Sequence, residues 1–269
     1  MVKIFLIRHA QSTSNKFKAD TFKQFGLDPI NTNLCLAYKL VKSKELIDAP
    51  LSEKGIKECL KANEQHVETL KDIKHVLCSP LRRCLQTARG VLKTEDLALK
   101  GVKLSVWGEL REILCCQGDF PMNVEESMEI FKEFDFSRIE KDVEKLKEFF
   151  FINYLDNEES FKDIKKFISE KNQQNTKEEN IDFMFDLLKK RLINNDKIET
   201  NYDIYTRTLK FKEIVKQYVE KNNVKDGELA IVAHLRVIKA WTSTDFNRSS
   251  DLYMGHYTSK NCEVLSVDI

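Results

Sequence analysis

Residues Lys3–Asn15 read KIFLIRHAQSTSN. The run from Val2 to Ile7 is apolar apart from Lys3, as a strand buried on both faces requires, and it stops abruptly at Arg8-His9. A guanidinium and an imidazole at the end of a buried strand mark the place where a ligand crevice opens in a parallel sheet, beyond the carboxyl ends of the strands. The fold class then depends on whether other segments repeat this pattern.

They do. Ser52 to Lys71 has helical spacing, with Ile56, Leu60, Val67 and Leu70 on one expected apolar face and Ser52 placed as an N-cap. His75–Ser79 (HVLCS) reads as a second buried strand running into Pro80, which suits a first helical turn, and then LRRCLQTARGVL. Val102–Trp107 is a third strand, and Glu228–Ala233 (ELAIVA) a fourth that ends at His234. Asn261–Val267 alternates loosely, as an edge strand does. Strands alternating with helices imply an α/β three-layer sandwich, a mainly parallel central sheet flanked by helices.

The stretch 119–205 differs. It is rich in Lys, Glu, Phe and Asn, and MEIFKEFDFSRIEKDVEKLKEFFF and IDFMFDLLKKRLI have amphipathic helical spacing. It is expected to be a helical insertion or cap within a single domain spanning 1–269, with SEKNQQNTKEEN a polar, mobile break.

Totals bound the rest. With 44 basic and 43 acidic residues the formal net charge is +1, which gives no support to a nucleic-acid or membrane-surface partner. Arginines, fewer than lysines, gather near Arg8, Arg82, Arg83, Arg89, Arg111 and Arg236. Seven cysteines form no CxxC pair, and the adjacent Cys115-Cys116 is unlike structural zinc spacing, so reduced thiols are expected. The first apolar run is too short for a secretory leader, and nothing approaches the roughly 18 apolar residues of a membrane span. The expectation is a soluble, cytoplasmic chain.

Five positions then stand together: Arg8, His9, Arg83, Glu112 and His234. Singly, each has a plain explanation, a hydrogen-bonded histidine, a surface arginine or a solvated acid. His66, in a charged helix, and His75, opening a strand, keep that explanation, and His256 is unassigned. Together, LIRHAQSTSN, APLSEKG, SPLRRCLQTA, LRE and AIVAHLRVI, in this order, resemble the histidine phosphatase superfamily, also called the phosphoglycerate mutase-like family. The resemblance covers nearly the whole chain outside the helical insertion. The chemistry agrees on its own terms. A dianionic phosphoryl group wants fixed planar donors, which guanidinium supplies, and a neutral imidazole with an ordinary pKa of about 6.5 is a competent nucleophile. A proton donor is still required for the leaving oxygen, and Glu112 serves only if its pKa is raised.

The resemblance implies a covalent phosphohistidine mechanism without metal or cofactor. By motif position His9 is the nucleophile, Arg8 and Arg83 bind the phosphoryl oxygens, and His234 stabilises the transition state. Arg83 is chosen over Arg82. Ser12 and Asn15 contact phosphate or substrate, and Glu112 is the proton donor, with Glu109 as its competitor. Three departures stand out. Ala10 replaces a glycine. Leu235-Arg236 replaces small residues, so Arg236 crowds the pocket or selects acidic substrates. ILCCQGD follows Glu112 in place of the mutases' continuation. The expected reaction is hydrolysis of a small phosphorylated compound or phosphopeptide. The rivals are a cofactor-dependent phosphoglycerate mutase and a catalytically silent phosphate-binding scaffold whose insertion holds an unidentified protein partner. Residues 17–49, with Phe17, Phe22 and Phe25, are a surface excursion or a lid; with 119–205 they are expected to set substrate choice.

Overall fold

The structure is a computed structural model that describes residues 1–24, 43–121, 124–154, 162–170, 174–193 and 198–269. In chain order the elements are β1 (Lys3–Arg8), α1 (Thr13–Gln24), α2 (Glu53–His66), β2 (His75–Cys78), α3 (Arg82–Leu92), α4 (Thr94–Leu99) and β3 (Lys103–Val106). There follow α5 (Val124–Ile130), α6 (Ser137–Leu146), α7 (Lys162–Glu170), α8 (Lys177–Ile193) and α9 (Asn201–Lys221). The chain closes with β4 (Leu229–Ala233), α10 (Leu235–Thr242), β5 (Asp245–Asn247), β6 (Leu252–Met254) and β7 (Val264–Asp268).

Five strands form one sheet in the order β3-β2-β4-β1-β7, parallel except for the edge strand β7, which runs antiparallel to β1. This is the α/β architecture the strand pattern implies. Alternate side chains feed two cores. Phe5, Ile7, Val76, Cys78, Leu104, Val106, Ala230 and Val232 meet α2, α3 and α6 on one face. Ile4, Leu6, Leu77, Leu229, Ile231 and Ala233 meet α9 and α10 on the other. Burial on both faces is why these strands read as continuous apolar runs. The register sets Arg8 opposite Ala233 and Cys78 opposite Val232, so the residues following β1, β2 and β4 emerge side by side.

Ser52 caps α2 as expected, accepting from Gly55 N at 3.1 Å. The expected apolar face of that helix is wrong: Ile56, Leu60 and Val67 are 53%, 48% and 54% exposed, and of the four only Leu70 is buried. The inward face carries the small residues Gly55, Cys59 and Ala62. They let α2 approach α3 so closely that a Cβ on Gly90 would lie 2.7 Å from Cys59 Cβ. Close approach of backbones outranked hydropathy here. Pro80 precedes α3, whose N-cap is Leu81; the first turn is satisfied from outside by Asp48, which accepts from Arg82 N at 2.8 Å.

The stretch MEIFKEFDFSRIEKDVEKLKEFFF is not one helix. Between α5 and α6 the backbone extends beside β3, with Asp135 N donating to Leu104 O and Val106 N to Asp135 O, which covers the sheet edge. After α6 a 3-10 stretch, Lys147–Tyr154, carries Phe149, Phe150 and Phe151 inward. A third apolar cluster joins Phe149, Phe151, Met184 and Phe185 to Leu114 and Phe120. In SEKNQQNTKEEN, Ser169 and Glu170 end α7 and Lys177–Asn180 begin α8, so the polar break is shorter than expected; 171–173 lie outside the described residues. Of the segment 17–49, Phe22 is buried in α1, while 25–42, with Phe25, lie outside the described residues. No helix among the described residues is long and apolar enough to cross a membrane.

Candidate active site

A cleft of about 410 Å³ opens at the carboxyl ends of the strands. Its lining includes Arg8, His9, Ser12, Asn15, Arg83, Glu112, Leu235 and Arg236, eight of the nine residues singled out in the sequence. The ninth, His234, is wholly buried directly behind them. Its ring centroid is 5.0 Å from that of His9.

Hydrogen bonding assigns both imidazole tautomers. His9 Nδ1 lies 2.7 Å from Ala10 O, and a carbonyl only accepts, so the proton is on Nδ1. That leaves the Nε2 lone pair facing the cleft, where Arg83 Nε donates to it at 3.3 Å. His234 Nδ1 accepts from Arg83 Nη2 at 3.2 Å, so its proton is on Nε2 and donates to Ser79 Oγ at 2.8 Å. Burial, and then the Arg83 charge, push both imidazoles well below their ordinary 6.5, which keeps them neutral.

Arg83 is the hub. Nη1 donates to Gly118 O at 2.6 Å and Nη2 pairs with Asp119 at 3.2 Å. Burial opposes its charge, but Asp119 and neighbouring acids outweigh that and hold it protonated. Arg82, the neighbour on α3, points elsewhere and pairs with Glu126. Arg8 Nη1 is anchored on Ser259 O at 2.7 Å. Ser12 and Asn15 bond to each other, Ser12 Oγ donating to Asn15 Oδ1 at 3.0 Å, and so cap the start of α1 at the rim.

Glu112 is buried, and burial raises its carboxyl above the ordinary value, with Asp119 adding to the rise against the opposing Arg236 and Arg83. Its Oε1 accepts from Ile113 N at 2.9 Å. Glu109 instead faces Arg138, 3.5 Å away and outside the cleft. The segment carrying Glu112 is braced by a buried network. Arg111 Nη1 donates to Glu112 O at 2.9 Å, and Glu199, arriving just before α9, takes both Arg111 Nη groups at 2.8 Å and Leu114 N at 2.9 Å.

Several lining residues have no sequence signal of their own: Cys115, Cys116, Asp119, Asn201, Lys239, Tyr253 and His256. ILCCQGD shows only that the chain departs from a pattern; that Asp119 lands on Arg83 follows from the 3-10 turn Gln117–Asp119. His66 lies at the end of α2, and His75 bonds Tyr218 across the second core, both away from the cleft.

Residues 39–149 match the family model described as the histidine phosphatase superfamily (branch 1). Over that segment the chain is similar to the superfamily. The matched range holds Arg83 and Glu112, while Arg8, His9 and His234 lie outside it and are joined to them by the fold. Among solved structures, the ecdysone phosphate phosphatase of Bombix mori in complex with tungstate is similar at 17% identity. The match covers 99% of this chain and 88% of that one, with a TM-score of 0.50. A phosphoglycerate mutase from Bacillus anthracis str. Sterne is 17% identical over 98% of this chain and 86% of that one, TM-score 0.46. A mycobacterial glucosyl-3-phosphoglycerate phosphatase complexed with VO3 is 13% identical over 100% and 93%, TM-score 0.48. At 17% identity the likeness to the ecdysone phosphate phosphatase is one of fold. No curated protein matches the chain.

Proposed function

We propose that the chain is a metal-independent phosphomonoester hydrolase acting through a phosphohistidine on His9. The observation that carries this reading is the lone pair of His9 Nε2 turned toward Arg83 in a cleft that also holds Arg8 and Glu112, with His234 behind. The phosphoryl group takes the place of the Arg83 contacts to Gly118 and Asp119 and is held by Arg8 and Arg83, while His234, whose Nδ1 accepts from Arg83 Nη2, orients that guanidinium. His9 Nε2 attacks phosphorus as the ester P–O bond breaks, and protonated Glu112 gives its proton to the leaving oxygen. The Glu112 carboxylate then takes a proton from water, whose oxygen attacks phosphorus. The N–P bond breaks and inorganic phosphate and neutral His9 are restored. Fixed guanidinium charge stabilises both steps, the role a metal plays elsewhere.

The charge in the cleft bears on the substrate. Five cations, Arg8, Lys18, Arg83, Arg236 and Lys239, face one carboxylate, Asp119, while Glu112 holds its proton. Four positive charges remain, and a phosphate dianion takes two. Lys239, one helical turn beyond Arg236 on α10, is pushed down by burial and by its cationic neighbours Arg236 and Arg8. Phosphoesters carrying a further acidic group are therefore the preferred class, and 119–205 acts as the helical cap over them. The third apolar cluster, which ties Phe149, Phe151 and Phe185 to the chain just after Glu112, supports that role.

The test is a phosphoester panel with chelator, run on wild type and His9→Ala. Turnover that persists under chelation and vanishes in the variant supports the proposal. Supplying 3-phosphoglycerate with and without a bisphosphoglycerate primer separates the mutase reading: isomerisation faster than phosphate release overturns hydrolysis as the main reaction.

A further inference from the structure

Two thiols stand in the wall of the cleft, and nothing in the hydrolytic scheme uses them. Cys115 and Cys116 each direct Sγ at the same oxygen, Asp119 Oδ2, from 3.4 and 3.1 Å. The other oxygen of that carboxylate, Oδ1, is the one that accepts from Arg83 Nη2. Arg236 Nη1 lies 3.8 Å from Cys115 Sγ. Ligand atoms of Cys115, Cys116 and Asp119 all lie within 4.8 Å of one another.

We propose that Cys115, Cys116 and Asp119 bind a thiophilic divalent cation of the zinc class, and that the bound ion locks Asp119 onto Arg83 and so opposes phosphate binding. Size supports it. A tetrahedral zinc with Zn–S of about 2.3 Å and Zn–O of about 2.1 Å separates sulfur from oxygen by roughly 3.6 Å. The observed separations need to open by only a few tenths of an ångström. Charge supports it as well. As the two metal–sulfur bonds form, each thiol releases its proton to water. Two thiolates and one carboxylate then leave a single negative charge around the divalent ion, facing Arg83 and Arg236. Adjacent cysteines do not make the closed four-ligand centres that hold small domains together. Three ligands at a cleft wall leave a coordination position open to water, as in an exchangeable site.

The antagonism follows from the shared carboxylate. Substrate phosphate must displace Asp119 from Arg83, and an ion on Oδ2 fixes that carboxylate in place while its two thiolates keep the loaded site negative beside Arg83. Gly118 limits any retreat of the turn, since a Cβ there would lie 2.3 Å from Ser14 Oγ.

The full reduced chain is titrated with cadmium ion alone, reading the thiolate-to-cadmium charge-transfer absorption in the ultraviolet. One equivalent should saturate the band, zinc should displace it, and Cys115→Ser with Cys116→Ser should abolish it. Cys262→Ser, which alters another close thiol pair, Cys59 and Cys262 at 3.8 Å, should retain it. Should the double variant not fold, Cys116→Ser alone should lose about half the band. Inorganic phosphate, titrated by calorimetry, should bind at least about tenfold more weakly to the zinc-loaded protein. No band at one equivalent, a band that survives the double substitution, or phosphate affinity indifferent to zinc overturns the proposal. The absorption arm needs no turnover, so its failure is distinguishable from failure of the hydrolase reading.

Discussion

Replacing Glu199 by Gln tests whether one buried carboxylate holds the site's acid in place. Glu199 is 2% exposed, accepts twice from Arg111 at 2.8 Å and once from Leu114 N at 2.9 Å, and lies 3.5 Å from Arg207. Arg207 is already poorly compensated: burial pushes it down to about 10, with Arg111 adding to the fall and Glu199 opposing it. The substitution keeps an acceptor oxygen but leaves two buried guanidinium groups without an anion. Removing one partner of a buried pair costs about 3–5 kcal/mol, and two cations sharing the loss place this variant at the upper end. In a chain of this size that is a fall in Tm of roughly 10–15 °C. Urea denaturation followed by circular dichroism measures it. Burial favours the neutral acid, but Arg111 and Arg207 outweigh it and hold Glu199 below its ordinary value. Its stabilisation is therefore complete above the unfolded-state pKa and lost as pH falls through the folded one. The gap between wild type and variant should close over that acid window and stay constant above it. A loss under about 1 kcal/mol at neutral pH, or a gap that widens on acidification, refutes the assignment.

Other outcomes follow from the same geometry. Because Glu112 is raised, kcat/KM should fall as pH rises through its pKa, and Glu112→Gln should lose about 10²–10⁴-fold on substrates with poor leaving groups, far less on aryl phosphates. With His9 held well below 6.5, no acid limb should appear near the ordinary imidazole pKa; one found there contradicts the neutral nucleophile. Asp119→Asn removes the carboxylate that competes for Arg83 and should tighten inorganic phosphate roughly tenfold by calorimetry. Gly118→Ala forces a Cβ onto Ser14 Oγ and should cost about 1–3 kcal/mol in denaturation. Ile56→Gln, on the exposed side of α2, should change stability by less than about 0.5 kcal/mol; a larger loss means that face is covered.

Much of this protein is decided locally. Runs such as KIFLIR, HVLC and LAIVA are apolar throughout because helices cover both faces of the sheet, and that burial leaves its record in composition. Arg8-His9 and His234 are legible as site residues for the same reason, polar groups placed where such strands end. What one-dimensional pattern lacks is direction and shape. Neighbours on a helix point about 100° apart, so the rotation of α3 sends Arg83 into the cleft and Arg82 to Glu126. Hydropathy put Ile56 and Leu60 inward, whereas Gly55, Cys59 and Ala62 win because small side chains admit a closer helix. Glu199 reaches Arg111 across 88 residues and Asp119 meets Arg83 across 36, and neither pairing has a local signature. Strand ends and their histidines belong to the sequence; the carboxylates that govern them were chosen by packing, which alone brings charges to within 3 Å or so of each other in a medium where they must be paired.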